Sequence, residues 1–136
     1  MNNLNSVLLE GNLVRDPLIR STQKGTQVCS FIVASNRFFR QESSFAKETG
    51  YFGVETWGKL AEVCGNKGQK GIGVRIVGRL KQDRWISASG ENHSRIVIVA
   101  EHVEFRRIMK KDDPELELET QEETAQVEAV FENQCA

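Results

Sequence analysis

Val74-Arg75-Ile76-Val77-Gly78-Arg79-Leu80 puts Val74, Ile76 and Leu80 on one side of an extended chain and Arg75 and Arg79 on the other. Successive side chains of a strand point to opposite faces, so this period of two predicts a strand with one buried face. The same period recurs on either side. Arg95 to Phe105 is the longest run, with Ile96, Ile98 and Ala100 facing one way and Val97, Val99 and Val103 the other. Ser6 to Leu13, Val28 to Ala34 and Phe52 to Trp57 supply three more strands. Lys59 to Cys64 is the one helical candidate, with Gly65, Gly68, Gly71 and Gly73 weakening whatever follows it. Turn chemistry at Asp16-Pro17, Lys24-Gly25, Ser44 to Gly50 and Ser89 to Asn92 separates the runs. Five strands with a short helix between the third and fourth is the order of a small all-β Greek-key barrel. Closure removes the exposed edges that so strand-rich a chain would otherwise present.

The chain has 136 residues, a length that suits one domain with a sizeable core. MNNLNSVLLEGNLV has no basic n-region, and Glu10 and Asn12 break its apolar run, so no signal peptide is expected. No stretch approaches the ~18 apolar residues of a membrane span. Cys29, Cys64 and Cys135 lack paired spacing and read as reduced thiols of a cytoplasmic protein, not as a disulfide frame or a zinc site. Asn92-His93-Ser94 fits a glycosylation acceptor only by chance in that compartment.

Lys and Arg number 18 against 19 Asp and Glu, a net charge of −1 that by itself argues against a basic nucleic-acid binder. The distribution reverses that inference. All 18 basic residues lie before Asp112, whereas DDPELELETQEETAQVEAVFENQCA carries nine acidic residues and no basic one. Residues 1–111 therefore hold +8 and residues 112–136 hold −9. The expected organisation is a domain over 1–107 and an acidic, disordered tail over 108–136, too poor in apolar surface to offset the entropy of ordering.

Gly53-Val54-Glu55-Thr56-Trp57-Gly58-Lys59 has the spacing of a phosphate-binding loop. Leu60 stands where a magnesium-holding Ser or Thr belongs, and the residues between the glycines read as a strand, so no nucleotide site is expected. Gly71-Ile72-Gly73 reads as a turn before a strand. His93 sits in a turn and His102 near a strand end, neither within a metal-ligand or nucleophile pattern. No catalytic constellation, metal site or cofactor is read from the sequence.

Aromatic and basic residues interleave instead. Arg37-Phe38-Phe39-Arg40 ends a strand, Tyr51-Phe52 opens the next, Trp57-Gly58-Lys59 closes it, and Lys81-Gln82-Asp83-Arg84-Trp85 begins a hairpin. An aromatic ring beside a cation at a strand end stacks on a nucleobase while the cation meets the neighbouring phosphate. Each stacked base contributes ~1–3 kcal/mol whatever its identity.

NSVLLEGNLVRDP, FIVASNRFF, VETWGKLAEV and GRLKQDRW, in this order and spacing, resemble the bacterial-type single-stranded DNA-binding protein family over about residues 1–106. The resemblance implies an OB-fold barrel that binds single-stranded DNA without catalysis, commonly as a homotetramer, in replication, recombination and repair. It places the stacking aromatics at Phe39, Tyr51, Trp57 and Trp85. The family more often carries Trp at the first two of these positions and Phe at the third. Phosphate contacts fall by the same resemblance on Arg20, Lys59, Lys70, Lys81 and Arg84, and charge alone adds Arg37, Arg40, Lys47 and Arg79. Asp83 stands where the family commonly has a basic residue, which weakens phosphate contact there. The tail ends Phe131-Glu132-Asn133-Gln134-Cys135-Ala136, without the Pro-Phe close by which the family recruits replication and repair enzymes. It reads either as a competitor with DNA for the basic domain or as a divergent docking segment built on Val127, Val130 and Phe131.

Two rival readings use the same barrel. A protein-binding adaptor would bind DNA weakly, without help from Trp57 and Trp85. An RNA-binding module would use the same stacking, since a base presents the same ring in either nucleic acid.

Overall fold

Closure of the fold rests on β1 (Val7–Leu13), a strand that pairs on both sides. It runs antiparallel to β5 (Ile72–Ile86) from Val7↔Gly78 to Asn12↔Gly73. At its far end it also meets β3 (Gln27–Gln41), through Asn12↔Ala34 and Leu13↔Val33. The structure, a computed structural model, describes residues 1–108. β4 (Ser44–Trp57) returns antiparallel along the whole of β3, and β6 (Asn92–Ile108) pairs antiparallel with β5. A short parallel contact, Val54↔Ile98 and Glu55↔Val99, joins β4 to β6. The ring β1–β5–β6–β4–β3 thus returns to β1 as the expected five-stranded barrel. A Cβ on Gly11, at the seam, would strike the Ala34 carbonyl, so a residue without one lets β1 and β3 approach.

A sixth strand, β2 (Leu18–Ser21), flanks β3 outside the ring, pairing Leu18↔Ser30 to Ser21↔Gln27. Its residues are all exposed, so no alternation announced it. The helix α1 (Lys59–Lys67) lies between the third and fourth barrel strands, as expected, and buries Ala61 and Cys64. It runs three residues beyond the predicted Cys64, because packing against the barrel outweighs the weak propensity of Gly65. The core joins Leu13, Phe31, Val33, Val54, Val74, Ile76, Ile98 and Ala100 with Cys29, Ala61 and Cys64.

Four expectations are corrected, one of them His93, which lies in β6 opposite Trp85 and not in a turn. Ser44 to Gly50 is not a turn but the first half of β4, paired with the outer half of β3 as a long ribbon. The chain reverses at Gln41–Ser44, where Glu42 takes a φ of 54°. This polar segment has no core beneath it and is held by backbone pairing, by the Thr49 hydroxyl donating to Asn36 Oδ1 (2.7 Å) and by an Arg37–Glu48 ion pair (3.3 Å). Tyr51 consequently lies mid-strand.

Val103 packs on the same core as Ile98 and Ala100, not on the opposite face. The β5–β6 register jumps between Val77↔His102 and Gly78↔Ala100, so Glu101 is a bulge residue that reverses the phase of His102 to Phe105. Gly78 faces that bulge, and a Cβ there would run into the Val99 carbonyl.

Leu80 does not join Val74 and Ile76 in the core. It is 48% exposed, because beyond Gly78 the β5–β6 hairpin extends past the end of the barrel. The acidic segment from Asp112, with Val127, Val130 and Phe131, lies outside the described residues.

Candidate nucleic-acid interface

Strand register assembles a single outer face from residues far apart in the sequence. Arg20, Val28 and Trp57 form one row across β2, β3 and β4. Glu55, Val99 and Arg79 form the next across β4, β6 and β5. Counting in twos adds Tyr51 to the Trp57 side of β4, and Lys81, Asp83 and Trp85 to the Arg79 side of β5. Paired with these on β6 are Val97, Arg95 and His93. Of the predicted contacts, Arg20, Tyr51, Trp57, Arg79, Lys81 and Trp85 therefore share this face, and Arg40 and Lys47 continue it outward along the ribbon.

At its centre are two tryptophans, each with a cation against its ring. Lys81 Nζ lies 5.6 Å from the Trp57 ring centre, and Arg95 Cζ lies 5.9 Å from that of Trp85. The His93 ring stacks on Trp85 at 5.6 Å with an angle of 17° between planes. Between the tryptophans, two carboxylates meet both cations. Lys81 Nζ is 3.3 Å from Asp83 Oδ1 and 3.9 Å from Glu55 Oε2. Arg95 reaches Asp83 Oδ2 with Nε at 3.3 Å and Glu55 Oε1 with Nη2 at 3.6 Å. The Glu55 side chain is only 6% exposed, and its Oε2 accepts no hydrogen bond among the described residues. A carboxylate so far from water is costly without counter-charges, and Lys81 and Arg95 supply them.

Other predicted contacts stand apart from this centre. Phe39 and Arg37 project from the opposite side of the β3–β4 ribbon to Tyr51, with the Arg37 guanidinium 4.7 Å from the Phe39 ring centre. Arg40 is on the Tyr51 side, across from Phe45. Arg84 points away from Trp85 and donates to Gln82 Oε1 at 3.0 Å. Lys59 opens α1 two residues after Trp57. Lys70 lies in the loop before β5, where its backbone N–H donates to Asp16 Oδ1 at 2.8 Å.

The profile of the single-strand binding protein family matches residues 4–106. The chain belongs to that family. It is 36% identical over 130 residues to the single-stranded DNA-binding protein of Aquifex aeolicus, covering 95% of this chain and 86% of that protein. Similarity to single-stranded DNA-binding protein 2 of Chlorobaculum tepidum is 36% over 114 residues, or 82% and 77% of the two chains. The Thermotoga maritima single-stranded DNA-binding protein is 36% identical over 124 residues, 90% of this chain and 86% of its own. Within this member of the single-strand binding protein family, the matched span contains all of the barrel but the last two residues of β6, and the whole two-tryptophan face.

Sequence reasoning did not select Glu55, Arg95 or His93, which meet their partners only across strands. Nor did it select Phe38 and Phe45, which stand on the Tyr51 side of the ribbon at 67% and 81% exposure. The Phe38-Phe39 pair did signal an aromatic contact, but strand phase decides which ring joins Tyr51. Phe45 was hidden by the reading of Ser44 to Gly50 as a turn.

Proposed function

We propose that this chain binds single-stranded DNA without sequence preference, coating strands exposed in replication, recombination and repair, and that the two-tryptophan face is where it does so. The observation that carries the reading is the Trp57–Lys81 and Arg95–Trp85 pairing on one solvent-accessible face, where Trp57 is exposed and the other three are half-buried. A base stacked on either ring places its phosphate within reach of a basic side chain. Stacking tolerates every base, and the backbone charge is the same at every nucleotide. Duplex DNA hides its base faces inside the stack, so the same site discriminates against it.

In this reading Trp57 and Trp85 are the stacking platforms, Tyr51 extends them along the ribbon, and Phe39 stacks on a strand that crosses to the ribbon's other side. Arg20, Arg79 and Lys81 meet phosphates near the centre, while Arg37, Arg40, Lys59, Lys70 and Arg84 serve strands that leave it. The protein acts as a binding protein and not as an enzyme, in the cytoplasm beside the nucleoid. A homotetramer, the usual family assembly, would let one strand pass over several such faces. The acidic tail modulates access to the basic domain, and Val127, Val130 and Phe131 are its candidate contacts for replication and repair proteins.

The two tryptophans are the only ones in the sequence, so intrinsic fluorescence reports on this face directly. Titration with oligo-dT is expected to quench it at low salt, with little response to duplex of equal length. Absence of quenching, or equal binding of duplex, overturns the reading. Competition between oligo-dT and oligo-U tests the choice of DNA over RNA.

A further inference from the structure

The four charges between the tryptophans have a depth order. Glu55 lies beneath the face at 6% exposure, whereas Lys81 above it is 41% exposed. Each cation touches both carboxylates, so the ring Lys81–Glu55–Arg95–Asp83 sums to zero. A DNA phosphate arriving from solvent meets cations already backed by acids. Glu55 Oε2 accepts no hydrogen bond among the described residues, so ionic attraction is what faces that atom. This arrangement positions Lys81 and Arg95 over the rings without adding net charge to the face.

We infer that Glu55 and Asp83 are built-in counter-ions that make Lys81 and Arg95 exchange partners for phosphate, so that stacking rather than net charge dominates binding at the centre. The inference rests on the single-stranded DNA reading and deepens it. Phosphate contact at Lys81 or Arg95 replaces a carboxylate contact that already exists, so the freed carboxylate takes up a salt cation that offsets the one the phosphate releases. Long-range attraction falls instead to cations outside the ring, such as Arg20, Arg40 and Arg79. Affinity then depends on salt less steeply than the number of basic residues on the face would suggest.

Asp83→Asn and Glu55→Gln test this in the full-length protein, by oligo-dT titration over a range of sodium chloride concentrations. Each variant removes one counter-ion and leaves one extra positive charge for phosphate. Binding is expected to tighten at low salt, and the slope of log K against log salt to steepen by about 0.7. The advantage over wild type then shrinks about threefold for each fourfold rise in salt. Glu101→Gln, the same charge change at the exposed β6 bulge, is expected to leave the slope unchanged. Asp83, nearer the surface, carries the test if Glu55→Gln fails to fold. An unchanged slope with unchanged or weaker binding in folded Asp83→Asn would show a purely structural clamp and overturn the inference. If wild type binds no oligo-dT, the functional reading fails first and this inference falls with it.

Discussion

The Lys81 ammonium lies 5.6 Å from the centre of the Trp57 ring, although 24 residues separate the two in sequence. β5 and β4 are not neighbours in the barrel, since β6 runs between them. The contact therefore spans three strands and defines the middle of the face. Trp57→Ala removes the ring and leaves the cation. Loss of one stacked base, ~1–3 kcal/mol, corresponds to roughly 5- to 150-fold weaker oligo-dT binding. Anisotropy of a labelled oligonucleotide measures this, with the thermal melt expected to change little because the ring is exposed.

Phe38 and Phe45 extend the aromatic row outward along the β3–β4 ribbon, interleaved with Arg40 and Lys47. Both rings face solvent, so replacing them with Ala removes no core packing. The double variant is expected to weaken binding of long oligo-dT at least about fivefold, with an unchanged melting temperature. Short oligonucleotides that cover only Trp57 and Trp85 are expected to show a smaller loss.

Gly78 lies where β5 meets the β6 bulge, and its missing side chain is a packing requirement. A Cβ there would meet the Val99 carbonyl and the Ala100 backbone, neither of which is a side chain that can swing aside. Gly78→Ala is expected to destabilise the barrel by about 1–3 kcal/mol. Chemical denaturation followed by circular dichroism measures it.

Cys29 and Cys64 are fully buried, and the Thr56 hydroxyl of β4 donates to the Cys29 carbonyl at 3.2 Å. Burial, with a smaller contribution from neighbouring Cys64, pushes the Cys29 thiol from 9.0 up to about 11, and burial raises Cys64 as well. Above the unfolded value the unfolded chain loses a proton that the folded chain keeps. Stability is therefore undiminished below about pH 9 and falls as pH rises toward 11. Melting temperature measured across that window is expected to decline, and less steeply in Cys29→Ala. At neutral pH both thiols are expected to resist alkylation until denaturant is added, which peptide mass mapping checks.

Removal of residues 112–136 takes away nine acidic residues and leaves a chain of +8. If the tail competes with DNA, the truncated protein binds oligo-dT more tightly at low salt, and the difference fades as salt rises. Equal affinity at every salt concentration rejects competition and leaves docking as the tail's remaining role.

The sequence by itself determined the strand-rich fold, the place of α1, the split of charge at Asp112 and the family. Each of these is written locally: in period-two alternation, in turn residues, in composition, and in motifs such as GNLVRDP and WGKLAEV. It also singled out Trp57, Trp85 and Lys81 by residue type, and the structure places all three on one face. Only the tertiary structure decided which residues share a face. One extra residue at Glu101 reverses the side chains of His102 to Phe105 and packs Val103 against the core. Strand phase likewise places Phe38 and Phe45, not Phe39, beside Tyr51. The ring Glu55–Lys81–Asp83–Arg95 joins three strands through side chains whose sequence separations carry no signal. A strand pattern fixes how residues alternate, but only pairing with its neighbours fixes what each of them meets.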